Sequence, residues 1–411
     1  MKGTKIQLER TGIIDSYFLS GNPQMSFFKA VYRKHTNFAV ESIEQTYNGN
    51  SNFNKRITVT ISRSGDLVSG MYIQADLSGG DPLCANAGHA LIDSCELKIG
   101  GKRIDKQSGL WMEIHSELTE ENKERHTGTI ESTRVDGTVE STRVNGTVFQ
   151  NMACAGGVKG KEGFPETDTM YVPLRFWFCR NPALALPLIS LQNDEVKINI
   201  TLAEKNKIFS IPSNAINTQE SNDINKFTLW ADYIHLGDDE RRKYENSHFE
   251  IPIELVQFFG AINITDKTTR VELKFNYPVK ELIWVKVDNS DATFESSHVT
   301  PLSFSTTSKA VLQLEGEKRF VERPMTYFTR TQIYQHHSGN GGVINNDSIA
   351  VYSFALKPEE YQPTGTCNLT RIDNATLIIK VETISAGQSF EVFAVNYNIL
   401  VFREGLGGLR F

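Results

Sequence analysis

Neighbouring histidines, His336 and His337, are the side chains in this chain that most resemble a pair of metal ligands. They lie in the polar, glycine-rich segment YQHHSGNGGVINND, where no Cys or Glu stands at the spacing of a zinc site, so we predict two surface histidines. Asp238, Asp239 and Glu240 could attract a cation, but they lack the alternating ligands of a calcium loop and fit the start of a helix better. The sequence therefore predicts no metal site.

Motifs for covalent chemistry and for phosphate binding are missing from the sequence as well. It contains no G-x-S-x-G elbow, no Walker-type phosphate loop and no H-E-x-x-H pair. The glycine-rich residues 405–408 have no helix after them that could supply a phosphate-binding N-terminus. We therefore predict no catalytic residue and no cofactor, and an enzyme ranks below a binding or structural protein.

An aromatic and basic segment near the start, residues 20–49, suggests nucleic-acid binding at first sight. It places Phe27, Phe28, Tyr32 and Phe38 beside the basic triplet Arg33, Lys34 and His35. The whole chain, however, has 43 Lys and Arg against 49 Asp and Glu, for a formal net charge of -6. A protein that neutralises many phosphates usually carries a surplus of cations. We therefore expect no direct binding of nucleic acid.

The elements that would position these residues are mainly strands. The 411 residues exceed the usual size of one hydrophobic core, which favours two domains of roughly 200 residues each. Alternating or β-branched runs separated by turn residues predict antiparallel sandwiches or barrels. We predict strands at 55–66, 70–78, 95–101, 196–204, 226–236, 270–277, 280–287, 309–316, 349–356, 375–383 and 389–400, and short helices at 86–94, 109–125 and 238–246.

Two stretches of the chain repeat each other in outline. LKIGGKRI at 97–104 and LQLEGEKRF at 312–320 both read as a strand, a glycine turn and a Lys-Arg pair. LRFWFCRNPALALPL at 174–188 parallels YSFALKPEEYQPTG at 352–365, and each is followed by another strand. Two copies of one β-domain would explain this pattern, although coincidence between β-rich segments is an alternative.

A short tandem repeat lies in the longer interval of the first copy. ESTRVDGTV at 131–139 is followed directly by ESTRVNGTV at 140–148. Asp136-Gly137 and Asn145-Gly146 are strong two-residue hairpin signals. We predict an exposed loop that carries small hairpins and faces outward, or else a duplicated insertion without function.

The aromatic and basic segment resembles a signature of a known family. GNPQMSFFKAVYRKHTNFAVESIEQ at 21–45 is similar to the major capsid proteins of large icosahedral double-stranded DNA viruses, the chlorella-virus, mimivirus and iridovirus group. The resemblance continues at 61–67, 95–111, 171–202, 230–241, 352–377, 396–400 and 405–409. It implies an all-β double jelly roll, two consecutive eight-stranded antiparallel sandwiches with a few short helices, which agrees with the duplication.

The resemblance also implies a function and partners. Three copies would form a homotrimer whose six jelly rolls make a pseudo-hexagonal capsomer of a shell around a double-stranded DNA genome. The expected partners are other copies of the chain, neighbouring capsomers, minor capsid proteins and an internal membrane. The protein would belong to the virion and be assembled in the cytoplasm of the host cell.

The same resemblance implies domains and contact residues. It divides the chain into an N-terminal segment at the base (1–37), a first jelly roll (38–245, with an inserted loop at 126–165) and a second jelly roll (246–411). Gly21, Asn22 and Pro23 would fix a turn before the first strand. The remaining assembly candidates are the aromatic residues Phe27, Phe28, Tyr32 and Phe38, expected to pack on a jelly roll or an adjoining subunit, and the polar residues Arg33, Lys34, His35 and Asn37.

Other interpretations stay open at this point. The tail FREGLGGLRF carries Arg403 and Glu404 where the family usually has small or apolar residues, so the contact made by the tail is not fixed. A minor capsid protein of the same fold fits the sequence too. A carbohydrate-binding β-sandwich protein would instead predict a monomer or dimer with an aromatic-lined groove, and an enzyme on a jelly-roll scaffold ranks third.

Overall fold

The structure is a computed structural model of the chain. It describes residues 20, 22–30, 32–78, 82–120, 130–133, 139–142, 147–160, 169–210, 223–246, 248–289, 292–293, 296–342, 344–385 and 387–411. Gly21, Asp136, Gly137, Asn145 and Gly146, predicted above as assembly or outer-loop residues, lie outside the described residues.

Strands dominate both halves of the chain. The first half contains β1 (Phe38–Gln45), β2 (Tyr47–Asn48), β3 (Arg56–Thr60), β4 (Leu67–Ser78), β5 (Ile92–Ile99), β6 (Lys102–Ser108), β7 (Ile130–Thr133), β8 (Val139–Thr142), β9 (Thr169–Pro173), β10 (Leu186–Pro187), β11 (Val196–Leu202) and β12 (Asp223–Leu236). The second half contains β13 (Phe249–Phe258), β14 (Ile262–Asn263), β15 (Thr268–Glu272), β16 (Pro278–Asp288), β17 (Lys309–Leu314), β18 (Glu317–Lys318), β19 (Arg323–Pro324), β20 (Ile349–Ser353), β21 (Cys367–Asn368), β22 (Ala375–Lys380), β23 (Gln388–Arg403) and β24 (Leu406–Leu409).

Helices are short and connect the strands. The α-helices are α1 (Ala87–Ala90), α2 (Gly109–Thr119), α3 (Val148–Ala153), α4 (Trp177–Arg180), α5 (Asp238–Asn246) and α6 (Gln332–His336). A π-helical turn, Tyr327–Thr331, leads into α6, and 3₁₀ turns occupy Pro182–Leu184, Leu188–Ser190, Lys205–Lys207 and Leu369–Arg371. No described helix is long and apolar enough to cross a membrane.

The three predicted helices have different outcomes. The helix predicted at 238–246 is confirmed by α5, whose first turn holds three acidic residues that complement the helix dipole. Helix α2 begins as predicted at Gly109, where the Ser108 hydroxyl accepts a hydrogen bond from the Trp111 amide, but it ends at Thr119. The helix predicted at 86–94 is wrong beyond Ala90, because β5 begins at Ile92 and pairs with β11.

The two halves repeat one topology. In the first jelly roll, one sheet has the order β1-β12-β4-β10, with β9 also paired to β4, and the other has the order β2-β3-β11-β5-β6. In the second, β13-β23-β16 and β15-β22-β17-β18 repeat these orders, with β20 and β21 paired to β16 as β9 and β10 are paired to β4, and with β19 also paired to β17. The segments 97–104 and 312–320 fall on the equivalent hairpins β5–β6 and β17–β18. The predicted duplication and the double jelly roll are therefore confirmed.

Each jelly roll buries the apolar side chains that alternate along its strands. On β4 the inward positions include Val68, Met71, Ile73 and Ala75, which are at most 2% exposed. The corresponding strand β16 is different, because its side chains are buried on both faces from Val279 to Val285. Trp284 belongs to the core of the second jelly roll, whereas Ile283 belongs to a core that continues into the first.

The tandem repeat forms one described hairpin. Strands β7 and β8 pair antiparallel from Ile130 with Thr142 to Thr133 with Val139, so the first repeat pairs with the second. In the described part of the chain these two strands pair with no other strand. The hairpin is thus separate from both jelly-roll sheets.

Candidate functional site

The predicted assembly segment forms a compact unit of its own, Met1–Asn37, distinct from the unit Phe38–Phe411. Its described residues are exposed, including Asn22, Pro23, Arg33, Lys34 and Asn37. Asn22 has a φ of 50°, the left-handed conformation that a turn before a strand can require.

The aromatic side chains of this segment are exposed as well. The exposed fractions are 86% for Phe27, 98% for Phe28 and 91% for Tyr32, and the His35 ring contacts the Thr36 carbonyl at 2.6 Å. Large exposed rings of this kind are typical of surfaces that contact another part of a protein or another molecule.

Phe38 begins β1, which pairs with β12 along one side. Phe38 and Val40 are more than half exposed, and Ser42 and Glu44 follow on the same face of the strand. The β1 register places Glu44 opposite Trp230 and Ser42 opposite Asp232. This side of β1 therefore continues into the outer surface of the sheet.

Aromatic residues line that outer surface, which we call the open face. Trp230 on β12 lies opposite Tyr72 on β4 with nearly parallel rings, 6.3 Å between centroids and 12° between planes. Tyr171 on β9 reaches Tyr72 at 6.1 Å and is 37% exposed. The Trp230 indole N–H donates to Gln74 Oε1 at 2.9 Å. Sequence reasoning missed these residues, although the alternation in GMYIQADLS and KFTLWADYIHL carries the signal.

The second jelly roll has an equivalent surface that is buried. Counting from the register irregularity at Asp232/Tyr233 in the first jelly roll and from that at Val279/Glu281 in the second, the third pair is Trp230 with Tyr72 and Phe393 with Ile283, respectively. Phe393 is 1% exposed and packs on the Trp111 ring of α2 at 5.4 Å between centroids. The first jelly roll therefore covers the sheet of the second through α2.

Charged groups are buried beside this apolar contact. Glu254 on β13 accepts from Lys280 Nζ at 2.5 Å and from Arg180 Nη1, on the first jelly roll, at 3.0 Å. The side chains of Lys280 and Glu254 are 3% and 11% exposed. These residues line a cavity of about 460 Å³ between the jelly rolls. One carboxylate thus joins cations from both halves of the chain.

His337 lies at the same junction, so the prediction of two surface histidines is wrong for it. Its side chain is 2% exposed, with Nδ1 3.0 Å from Glu359 Oε1 and Nε2 3.0 Å from Glu281 Oε2. Burial alone would lower the pKa of His337, but the two carboxylates raise it to about 9. The sequence spacing gave no sign of this triad, because Glu281 is contributed by β16, far from His337 along the chain.

Backbone contacts strengthen the junction at two further places. The amides of Gly339 and Asn340 donate to the carbonyls of Leu118 and Glu117, at 2.7 and 2.9 Å, and thereby satisfy the C-terminal end of α2. At the tail, the Asn193 amide donates to the Gly405 carbonyl at 2.9 Å and the Gly407 amide to Asp194 Oδ2 at 2.8 Å. A Cβ on Gly407 would lie 2.5 Å from Leu191 Cδ2, so this glycine permits close packing. The tail contact left open above is thus made with the first jelly roll.

A buried carboxylate anchors the described end of the predicted inserted loop. Glu113 accepts from the Gly156 and Gly157 amides at 3.1 and 2.7 Å and lies 2.5 Å from His89 Nδ1. Asn86 Oδ1 accepts from the amides of Gly157 and Val158. Burial raises the pKa of Glu113 to about 7, and burial together with Arg175 lowers that of His89 to about 3. Residues 147–158 therefore pack on the first jelly roll.

Among the described residues, no group of three or more His, Cys, Asp or Glu side chains is placed to hold a metal ion. Two family models match most of the chain. The model described as "Major capsid protein N-terminus" matches residues 26–237, and the model described as "Large eukaryotic DNA virus major capsid protein" matches residues 240–408. The chain belongs to this capsid protein family.

Individual relatives extend over the whole chain. The major capsid protein of Pyramimonas orientalis virus is 41% identical, and that of Paramecium bursaria Chlorella virus 1 is 32% identical, each with 100% of both chains covered. The crystal structure of PBCV-1 VP54, fitted into a reconstruction of the virophage Sputnik, matches with a TM-score of 0.72 at 30% identity, covering 94% of this chain and 100% of that one. The Faustovirus major capsid protein shares the fold, with a TM-score of 0.69 at 12% identity.

Membership of this family settles the broad role of the chain. It is a structural protein of the virion that self-assembles into the capsid lattice of a large DNA virus. The capsid interpretation therefore prevails over the carbohydrate-binding β-sandwich.

Proposed function

We propose that three copies of the chain form a homotrimer whose six jelly rolls make a pseudo-hexagonal capsomer. The observation that carries this proposal is the contact between the two jelly rolls of one chain. The first jelly roll uses α2, and the second uses the outer face of its β13-β23-β16-β20 sheet, so two copies of one topology meet through different surfaces.

A contact between different surfaces can be repeated. Heterologous contacts form a ring when the rotation between successive units closes, and otherwise an open filament. Each chain already holds one such contact between two jelly rolls and leaves the equivalent face of the first jelly roll open. Three chains joined in the same sense give a ring of six similar units, which suits a hexagonal lattice.

The N-terminal segment, residues 1–37, contacts neighbouring capsomers, minor capsid proteins or an internal membrane at the base of the capsomer in this proposal. The exposed Phe27, Phe28 and Tyr32 support it, because large apolar rings on a surface mark contact sites. Asn22 and Pro23 set the turn, while Arg33, Lys34 and His35 supply polar contacts.

The remaining parts of the proposal concern the outer surface, the boundaries and the site of assembly. In this proposal the tandem repeat at 131–148, within the inserted loop at 126–165, forms an outward loop, and the jelly rolls divide near residue 245, within α5. Assembly takes place in the cytoplasm of the host cell, around a double-stranded DNA genome that the acidic chain does not bind directly.

The solution mass of the purified protein tests the trimer. We expect the mass of three chains, with no folded monomer detectable at micromolar concentration, whereas a clean monodisperse monomer would refute the capsomer. Removal of residues 1–37 tests the base segment separately. The truncated protein should remain a soluble trimer and assemble shells poorly; normal shell assembly would show that the segment has another role.

A further inference from the structure

We propose that a larger cavity between the two jelly rolls binds a small organic diamine, a molecule whose two protonated ammonium groups are joined by a short alkyl chain. The cavity has a volume of about 850 Å³ and is lined by β6 and the start of α2 on one side and by β13 and β23 on the other. This volume is in the range of small-molecule sites, which are mainly apolar with a few polar groups that orient the ligand. The proposal does not depend on the oligomeric state.

Gln107 supplies an unpartnered acceptor from the first jelly roll. It is 2% exposed, and its Nε2 donates to Asp105 Oδ2 at 2.9 Å and to the Arg175 carbonyl at 3.1 Å. These two bonds fix the orientation of the amide, because a flipped amide would place its oxygen against two acceptors. Gln107 Oε1 is thereby buried without a hydrogen-bond partner among the described residues.

The second jelly roll supplies two further acceptors. Glu391 on β23 makes no hydrogen bond or ion pair with a described residue, and burial raises its pKa to about 7 without an opposing charge. The ring of His298 is bonded to the backbone of Lys207, while its Nδ1 is buried without a partner in the described part of the chain. Burial lowers the pKa of His298 to about 4, so at neutral pH its Nδ1 carries a lone pair and accepts.

All three groups accept hydrogen bonds, so the ligand that matches them must donate. An ammonium group has three donors and no acceptor. The cations that line the cavity are directed elsewhere. Lys207 Nζ donates to the Asn289 carbonyl at 2.6 Å, Lys274 pairs with Glu272 at the surface, and Arg103 and Lys106 are exposed.

Aromatic rings favour an organic cation over a metal ion. The rings of Trp111 and Phe393 lie 5.4 Å apart, and Phe258 lies 5.0 Å from Phe393. Ring faces attract ammonium groups, and ring edges can contact an alkyl chain. Divalent metal ions instead require several oxygen ligands, and the described residues contain no cluster of that kind.

A bound diamine would join the two halves of the chain. Gln107 belongs to the first jelly roll, whereas Glu391 and His298 belong to the second. A ligand that binds only when these residues are brought together stabilises the folded chain as its concentration rises.

Thermal unfolding in 1,4-diaminobutane at constant ionic strength tests the proposal. We expect a saturable rise of the melting temperature in the wild-type protein, and isothermal titration calorimetry should give one site per chain. Glu391→Gln keeps the size of the side chain and should abolish the rise, while far-ultraviolet circular dichroism stays native. Glu382→Gln changes the net charge equally at an exposed position outside the cavity and should retain the rise.

Three results would overturn the site. A wild-type melting temperature that does not change with 1,4-diaminobutane would mean that water alone satisfies the buried acceptors. An equal rise in Glu391→Gln and Glu382→Gln would assign the effect to general attraction between the diamine and the acidic chain. The same rise with magnesium chloride in place of the diamine would show that the effect requires charge and not an alkyl ammonium group.

Discussion

Trp230 and Tyr72 face outward on the first jelly roll, whereas the equivalent pair of the second, Phe393 and Ile283, is buried against the first. The two sheets share their strand order and one register irregularity, yet they carry different side chains at these positions. Phe and Ile have no polar group to satisfy and can be buried completely, while Trp and Tyr keep an N–H or O–H that needs a partner. Equivalent positions of a repeated fold thus distinguish a permanent contact from a surface that meets another molecule.

Of the changes that test this comparison, Phe393→Ala should lower the free energy of unfolding most. The ring is buried between the jelly rolls, so its removal leaves a cavity and should lower the free energy of unfolding by about 3–5 kcal/mol. Phe258, whose ring lies 5.0 Å from that of Phe393 but is 46% exposed, provides the control. Chemical denaturation at one protein concentration measures both variants. If Phe393→Ala and Phe258→Ala lowered the free energy of unfolding equally, the buried ring at the junction would stabilise the chain no more than a partly exposed ring.

Lys280→Met should come next, because it keeps the length of the side chain and removes the buried ammonium group. Glu254 would then depend on Arg180 alone, and breaking a buried ion pair costs about 3 kcal/mol. Lys274→Met alters a pair with Glu272 in which both side chains are at least 70% exposed, and it should leave the denaturation midpoint unchanged. If Lys280→Met left the free energy of unfolding unchanged, apolar packing alone would hold the junction.

The pH dependence of stability should reveal the charged part of the junction. His337 has a pKa of about 9 in the folded chain and about 6.5 when unfolded, so the folded state binds its proton more tightly. The resulting stabilisation is complete below pH 6.5 and is lost as pH rises through about 9. We expect the free energy of unfolding to fall by on the order of 2 kcal/mol from pH 7 to 9.5.

Two matched variants isolate this histidine. His337→Gln should abolish most of the decline above pH 7, whereas His336→Gln, at the neighbouring and partly exposed position, should retain it. Denaturation curves at several pH values compare the three proteins. An unchanged slope in His337→Gln would assign the decline to other groups.

Deletion of residues 131–139, one repeat unit, should have the smallest effect. The remaining unit still supplies the Thr147 cap of α3, and the β7–β8 hairpin pairs with neither jelly roll in the described part of the chain. We expect the melting temperature of the trimer to stay within a few degrees of wild type, in line with surface changes of about 0.5 kcal/mol. Loss of the trimer would place the repeat in a contact between subunits.

Local pattern was sufficient for much of the architecture. The strand predicted at 280–287 corresponds to β16, because runs such as KELIWVKV combine β-branched residues with turn signals on either side. Helix α5 was predictable from its acidic first turn, and the duplication from two similar hairpins. The segment at 86–94 was not, since pairing of Ile92 with Leu202 outweighed its local helix preference.

The sequence by itself determined the fold class, the duplication and the family, because alternation, turn residues and motif letters are local properties of the chain. Only the tertiary structure decided which sheet face is covered and which is open, since Trp230 and Phe393 both occupy outward strand positions and differ in what packs on them. It also decided that His337 is buried between two carboxylates, because these carboxylates come from distant parts of the chain. Burial depends on contacts between remote segments, and spacing along the sequence does not encode those contacts.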